Sequence, residues 1–166
     1  ARYIENGFEV VRPALSDPEL MDFEGVGTLE AFNTDGLRTL ARTIGAPNMK
    51  EKTLRYPGHI EKMAVLRETG FFSKEKIAIG GVEISPLEFT SKVLFPKWQL
   101  NPGEADLTVM TIIVEGQQRE RQVRYTYNLL DRMDMETNTH SMARTTGYTA
   151  TVAARMLAQG LYQQPG

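Results

Sequence analysis

Short stretches of alternating apolar and polar residues open the chain and return in its later middle, with runs at helical spacing between them. Arg2 to Glu5 and Phe8 to Val11 flank Asn6-Gly7, a pair that suits a two-residue hairpin turn because both positions tolerate left-handed backbone. Leu20 to Glu24 and Thr28 to Phe32 read as two more strands around Gly25-Val26-Gly27. Asp35 is placed to N-cap a helix whose apolar side is Leu37, Leu40, Ala41 and Ile44, with Gly45 as its stop. Lys52 to Tyr56 returns to strand character, since the residue before a proline is pushed to extended backbone. Gly58 permits a reversal, and a helix follows to about Thr69, burying Ile60, Met63, Ala64 and Leu66.

Ser85-Pro86-Leu87-Glu88 has the form of a capping box, and its helix is expected to stop before Pro96. Ala105 to Glu115 and Arg119 to Leu130 form an expected long antiparallel hairpin through Gly116-Gln117-Gln118. In its second strand Val123, Tyr125, Tyr127 and Leu129 alternate with Arg124, Thr126 and Asn128, which gives one wet face. A last helix spans about His140 to Gln159, with Gly160 beyond it. The order of elements predicts an α+β fold, a mixed, mostly antiparallel sheet with helices packed on one face. It is not the doubly wound nucleotide fold, because Gly25-Val26-Gly27 precedes a strand and lacks the third glycine of that fingerprint.

The 166 residues suggest one domain over 1–166, and 41% apolar content supports a core. Net charge is −2 with no dominant basic cluster, so nucleic acid is not an expected partner. No apolar run has the length of a membrane span, and no membrane partner is expected. With no cysteine there is neither a disulfide nor a thiolate site, and two histidines without ligand spacing make no case for a metal. The expected compartment is cytoplasmic. The first and last residues read as cuts inside a longer protein.

Lys52-Thr53-Leu54-Arg55-Tyr56-Pro57-Gly58-His59 concentrates candidate chemistry where strand gives way to helix. The Arg55 guanidinium can grip a carboxylate at two points or sit in a structural ion pair. His59 can relay a proton near neutrality or simply bond to the turn. Tyr56 can offer its hydroxyl to a ligand or pack on the sheet. Asn33-Thr34-Asp35-Gly36 is a second polar turn, in which Asp35 is a helix cap on the sequence reading alone.

The octapeptide, together with Glu30 to Arg38 and Ser141 to Gly147, resembles the signature of the saccharopine dehydrogenase and lysine 6-dehydrogenase family. That resemblance implies a substrate-binding, catalytic domain of a larger two-domain dehydrogenase, without its nucleotide-binding domain. The implied reaction is hydride transfer between the CH–NH group of an amino acid, lysine or saccharopine, and NAD or NADP, bound mainly by the missing domain. It makes His59 and Arg55 the catalytic candidates. Asn33, Thr34, Asp35, Arg55, Tyr56, Gly58 and Thr145 become the substrate-binding candidates, with Arg144 to Thr146 near a domain boundary. The isolated chain is then expected to be inactive. The alternative is a non-catalytic dimerisation or ligand-sensing module on the same scaffold, with a homodimer formed through the sheet.

Overall fold

The structure is a computed structural model that describes residues 1–163. Its fold is α+β, with every strand pair antiparallel. Where the sequence suggests one domain, the contacts divide the chain into two compact units, Ala1–Lys97 and the residues from Trp98 onward. Where it suggests one sheet, the pairing is spread over four.

The first unit begins with the hairpin β1 (Arg2–Glu5) and β2 (Phe8–Val11). Its turn residues Asn6 and Gly7 both have positive φ, as a type I′ turn requires. Strands β3 (Glu19–Phe23), β4 (Gly27–Asn33) and β5 (Lys52–Arg55) form a three-stranded sheet with β4 in the centre. Its central position explains why Leu29, Ala31, Phe32 and Asn33 are buried. Ile4 exchanges both backbone bonds with Met49 (3.0 and 2.8 Å), so the segment before β5 is tied to β1.

Helix α1 is only Leu40–Thr43. The longer helix expected from an Asp35 cap does not form, because the Asp35 carboxylate is taken by Arg2. Helix α2 (His59–Glu68) follows β5 through Gly58, whose φ of 91° is left-handed. A small hairpin, β6 (Ile77–Ile79) and β7 (Val82–Ile84), turns on Gly80-Gly81. Helix α3 (Pro86–Trp98) runs through Pro96 instead of ending before it. Pro96 falls in the last turn, so its missing N–H costs a single intrahelical bond.

The second unit is built on β8 (Leu107–Gln118) and β9 (Arg121–Arg132). The turn falls on Arg119-Glu120, both at positive φ, and not on Gly116-Gln117-Gln118. Helix α4 (Ser141–Ala143), a π-helical turn (Arg144–Tyr148) and helix α5 (Thr149–Ala158) follow as one run. Asp106 starts it, with Oδ1 accepting the Ser141 N–H at 2.6 Å and Oδ2 the Met142 N–H at 3.0 Å. Burial pushes the Asp106 carboxyl up, but those N–H groups and His140 outweigh it and hold the group below its ordinary value. Fully buried Ser141 donates to the Asp131 carbonyl and pairs with the Thr108 hydroxyl, so it locks the helix onto both strands.

Candidate functional site

The register of β4 and β5 decides which candidates can meet. Glu30 lies opposite Arg55, Phe32 opposite Thr53 and Asn33 opposite Lys52. Directly paired residues share a face and successive residues alternate. Glu30, Phe32, Thr53 and Arg55 therefore line one face of the sheet. Thr34 joins them, its hydroxyl 2.8 Å from that of Thr53. Ala31, Asn33, Lys52 and Leu54 line the other face. The sequence reading gathers Asn33 and Arg55 around one ligand, and the pleat puts them on opposite sides.

On the first face, the Arg55 guanidinium is exposed and donates only to the Leu54 carbonyl, at 2.8 Å. Among the described residues it makes no ion pair. Glu30, its cross-strand neighbour, is committed elsewhere: Oε2 accepts the N–H of Ile60 at 3.0 Å. The carboxylate that the first turn of α2 attracts thus comes from the protein itself. Gly58 is the residue before that turn, and its positive φ strains any side chain placed there. Tyr56 projects into solvent, 66% exposed. The His59 ring stacks on Phe32 with centroids 5.7 Å apart and planes 13° from parallel. Burial, then the positive charges of Arg55 and Lys62, lower its pKa, with Glu30 pulling the other way. The imidazole is consequently a neutral group at neutral pH.

Asn33 is 1% exposed and fastened to the loop before β3. Its Nδ2 donates to Ser16 Oγ at 3.0 Å, and its backbone exchanges bonds with Ser16 and Leu15. Its Oδ1 has no partner among the described residues. Thr34 donates to Glu51 Oε2 at 2.5 Å, and the Gly36 N–H reaches the same oxygen at 3.0 Å. Glu51 thus organises the polar turn. Asp35 takes both the Nε and an Nη hydrogen bond of Arg2, at 3.1 and 2.7 Å. That hydrogen bonding is the main cause of its lowered pKa, and it leaves Asp35 less open to an ammonium group. Thr145 belongs to the second unit, in the π-helical turn, and donates to the Ser141 carbonyl at 2.9 Å.

A cavity of about 420 Å³ opens beside Asp35, lined also by Arg2, Leu37, Arg38 and Arg42. Arg55, Tyr56 and His59 are not among its walls. Sequence reasoning missed Glu30, Glu51 and the Arg38–Arg42 pair. Glu30 and Glu51 act on partners reached only through strand pairing or a turn. The Arg38–Arg42 spacing of four was visible, but the cavity it borders was not. Among the described residues no three His, Asp or Glu side chains are grouped to hold a metal ion, and no helix is long and apolar enough to cross a membrane.

The first face can do two things: bind an anion through an uncommitted guanidinium, and present a neutral imidazole and a phenol within a few residues of it. A model of the saccharopine dehydrogenase C-terminal domain matches residues 1–166, the whole chain.

Proposed function

Because the chain belongs to the saccharopine dehydrogenase C-terminal domain family, we propose that it holds the amino-acid substrate of an oxidoreductase acting on a CH–NH group. Lysine and saccharopine are the substrate classes this reading names. The observation that carries it is the Arg55 guanidinium. It stands at the end of β5 without a carboxylate partner among the described residues, and Glu30, the acid paired with it across the strands, accepts the Ile60 N–H instead. A guanidinium left in that state suits the two-point grip of a substrate carboxylate.

NAD or NADP would supply the hydride chemistry in this reading. The described residues do not fit a dinucleotide. Gly25-Val26-Gly27 lies at the turn of the β3–β4 hairpin, with no helix N-terminus behind it to receive a pyrophosphate. A separate nucleotide-binding domain would hold the cofactor, and no step through it is assigned to this chain. Arg55 would fix the carboxylate end, Tyr56 and Thr34 would offer hydroxyls, and neutral His59 would accept a hydrogen bond or a proton from the amine.

The test is Arg55→Ala in the enzyme that carries this domain. KM should rise on the order of 10- to 100-fold, the loss of one charge-assisted contact, with the melting temperature unchanged. Stability lost in step with substrate affinity would overturn the reading and make Arg55 a structural cation.

A further inference from the structure

The cavity beside Asp35 is bordered by three guanidiniums and two carboxylates, those of Arg2, Arg38, Arg42, Glu9 and Asp35. One of each is spent, because Arg2 gives Asp35 two hydrogen bonds, at 3.1 and 2.7 Å. The side chains of Arg38, Arg42 and Glu9 have no hydrogen-bond or ion-pair partner among the described residues. Both arginines belong to a short coil anchored by Leu37, which is buried. The Leu40 N–H closes onto the Leu37 carbonyl and the Arg42 N–H onto the Thr39 carbonyl, each at 2.9 Å. Arg38 holds a φ of 50°, in the left-handed region that Gly or Asn enters more easily. The backbone there gives no reason for arginine; the guanidinium at the cavity wall does, and strain of this kind gathers where ligands are held.

The wall chemistry narrows the ligand. A volume of about 420 Å³ falls in the range of small-molecule sites, roughly 300–1,000 Å³. Two free guanidiniums match a group with two negative charges. A phosphate monoester carries about −1.5 to −2 near neutral pH and offers three acceptor oxygens, whereas a single carboxylate would leave one guanidinium without a counter-charge. Glu9 repels that phosphate, so it faces another part of the ligand. An ionised carboxylate only accepts hydrogen bonds, so its partner is a donor. Glu9 is close enough to Arg2 for its charge to act on that guanidinium, so an ammonium placed on Glu9 would face a like charge. A hydroxyl would not. Leu37 and Ala41 supply the apolar part of the wall, against which a carbon skeleton can lie.

We propose that this cavity binds the phosphate monoester of a small hydroxylated molecule, with Arg38 and Arg42 on the phosphate and Glu9 on the hydroxyls. The site is separate from the one assigned to the amino acid, since Arg55, Tyr56 and His59 do not border it.

Isothermal titration of the enzyme that carries this domain tests the assignment, with ribose 5-phosphate as the probe. A Kd on the order of 0.1 mM is expected, with inorganic phosphate weaker and ribose or succinate weaker still. Arg42→Gln and Arg38→Asn should each weaken ribose 5-phosphate about tenfold or more, the loss of one charge-assisted contact. Arg38→Asn should at the same time melt no lower than the wild type, because asparagine suits the left-handed backbone. Glu9→Gln should bind inorganic phosphate at least as well as the wild type while losing the preference for ribose 5-phosphate over it. Arg55→Ala should bind ribose 5-phosphate unchanged. Absence of binding at 10-fold above the expected Kd, affinity that survives the Arg38→Asn/Arg42→Gln double variant, succinate bound as tightly as phosphate, or a lower melting temperature in Arg38→Asn would each overturn the proposal. So would a loss in Arg55→Ala equal to that in Arg42→Gln, which would merge the cavity with the amino-acid site.

Discussion

Glu30 Oε2 and the backbone N–H of Ile60 are 3.0 Å apart, joining the middle of β4 to the first turn of α2 across thirty residues of chain. This bond satisfies one of the helix's free N–H groups, places negative charge at the positive end of its dipole, and sets the His59 ring against Phe32. It also withdraws Glu30 from Arg55, which faces it across the strands.

Replacing that carboxylate should be felt at both partners. Glu30→Gln is expected to lower stability by about 1 kcal/mol, the scale of a lost helix cap. It should also move the His59 titration to lower pH, because Glu30 is the charge that opposes the downward shift. Urea denaturation and the His59 ring proton signal measure the two effects. An unchanged His59 midpoint would show that the carboxylate does not act on the imidazole.

The lowered pKa of His59 makes stability depend on acid. A base whose folded pKa lies below its unfolded value of about 6.5 is held neutral by the fold. The stability this carries is present above 6.5 and is lost as pH falls through the folded pKa. Denaturation midpoints should therefore decline below pH 6.5, and His59→Gln should flatten that part of the profile. A decline of the same size in the variant would assign it to the carboxylates.

Gly36 is held by space. A Cβ there would overlap the Glu51 carboxyl group, which is bonded to Thr34 and to the Gly36 N–H. Gly36→Ala should cost about 1–2 kcal/mol by expelling that carboxylate from its hydrogen bonds. In a Glu51→Ala background the same change should cost much less. Additive losses in the double-mutant cycle would separate the two residues.

Tyr3 is buried, its hydroxyl has no partner among the described residues, and its pKa is pushed up to about 12, first by burial and then by the charges of Asp17, Glu51 and Glu5. An acid raised in the folded state contributes stability that is present below its unfolded pKa of about 10 and lost as pH climbs toward 12. The slope over that interval is at most about 1.4 kcal/mol per pH unit. Tyr3→Phe should remove the alkaline decline and cost little at neutral pH, since it deletes an unpaired polar group. A steeper alkaline loss in Tyr3→Phe would contradict this.

The strands were largely readable because alternation survives in single sequences. Asn6-Gly7 named the first hairpin, and Val123 to Leu129 gave the dry side of β9. The turn of the long ribbon was misplaced by a few residues: Arg119 and Glu120 adopt left-handed backbone that neither residue type favours, while Gly116 does and drew the reading to itself. The β6–β7 hairpin escaped notice although Gly80-Gly81 marks it. At the candidate site the residue types were right and their sides were not. Adjacent residues on a strand face opposite ways, so Asn33 could be separated from Arg55 only once Lys52 was known to lie across from it. The Asp35 cap failed for a similar reason, because Arg2 is thirty-three residues away in sequence and nothing local announces it.

The wider coil at Arg144–Tyr148 acts as a phase adjuster. One added residue shifts everything downstream by about a hundred degrees around the axis. Arg144 can therefore stay anchored to Asp131 and Asp134 while Val152, Met156 and Leu157 aim in a direction that uninterrupted winding would not give them. Excising Gly147 would leave the anchor in place and swing that greasy stripe away from its present bearing.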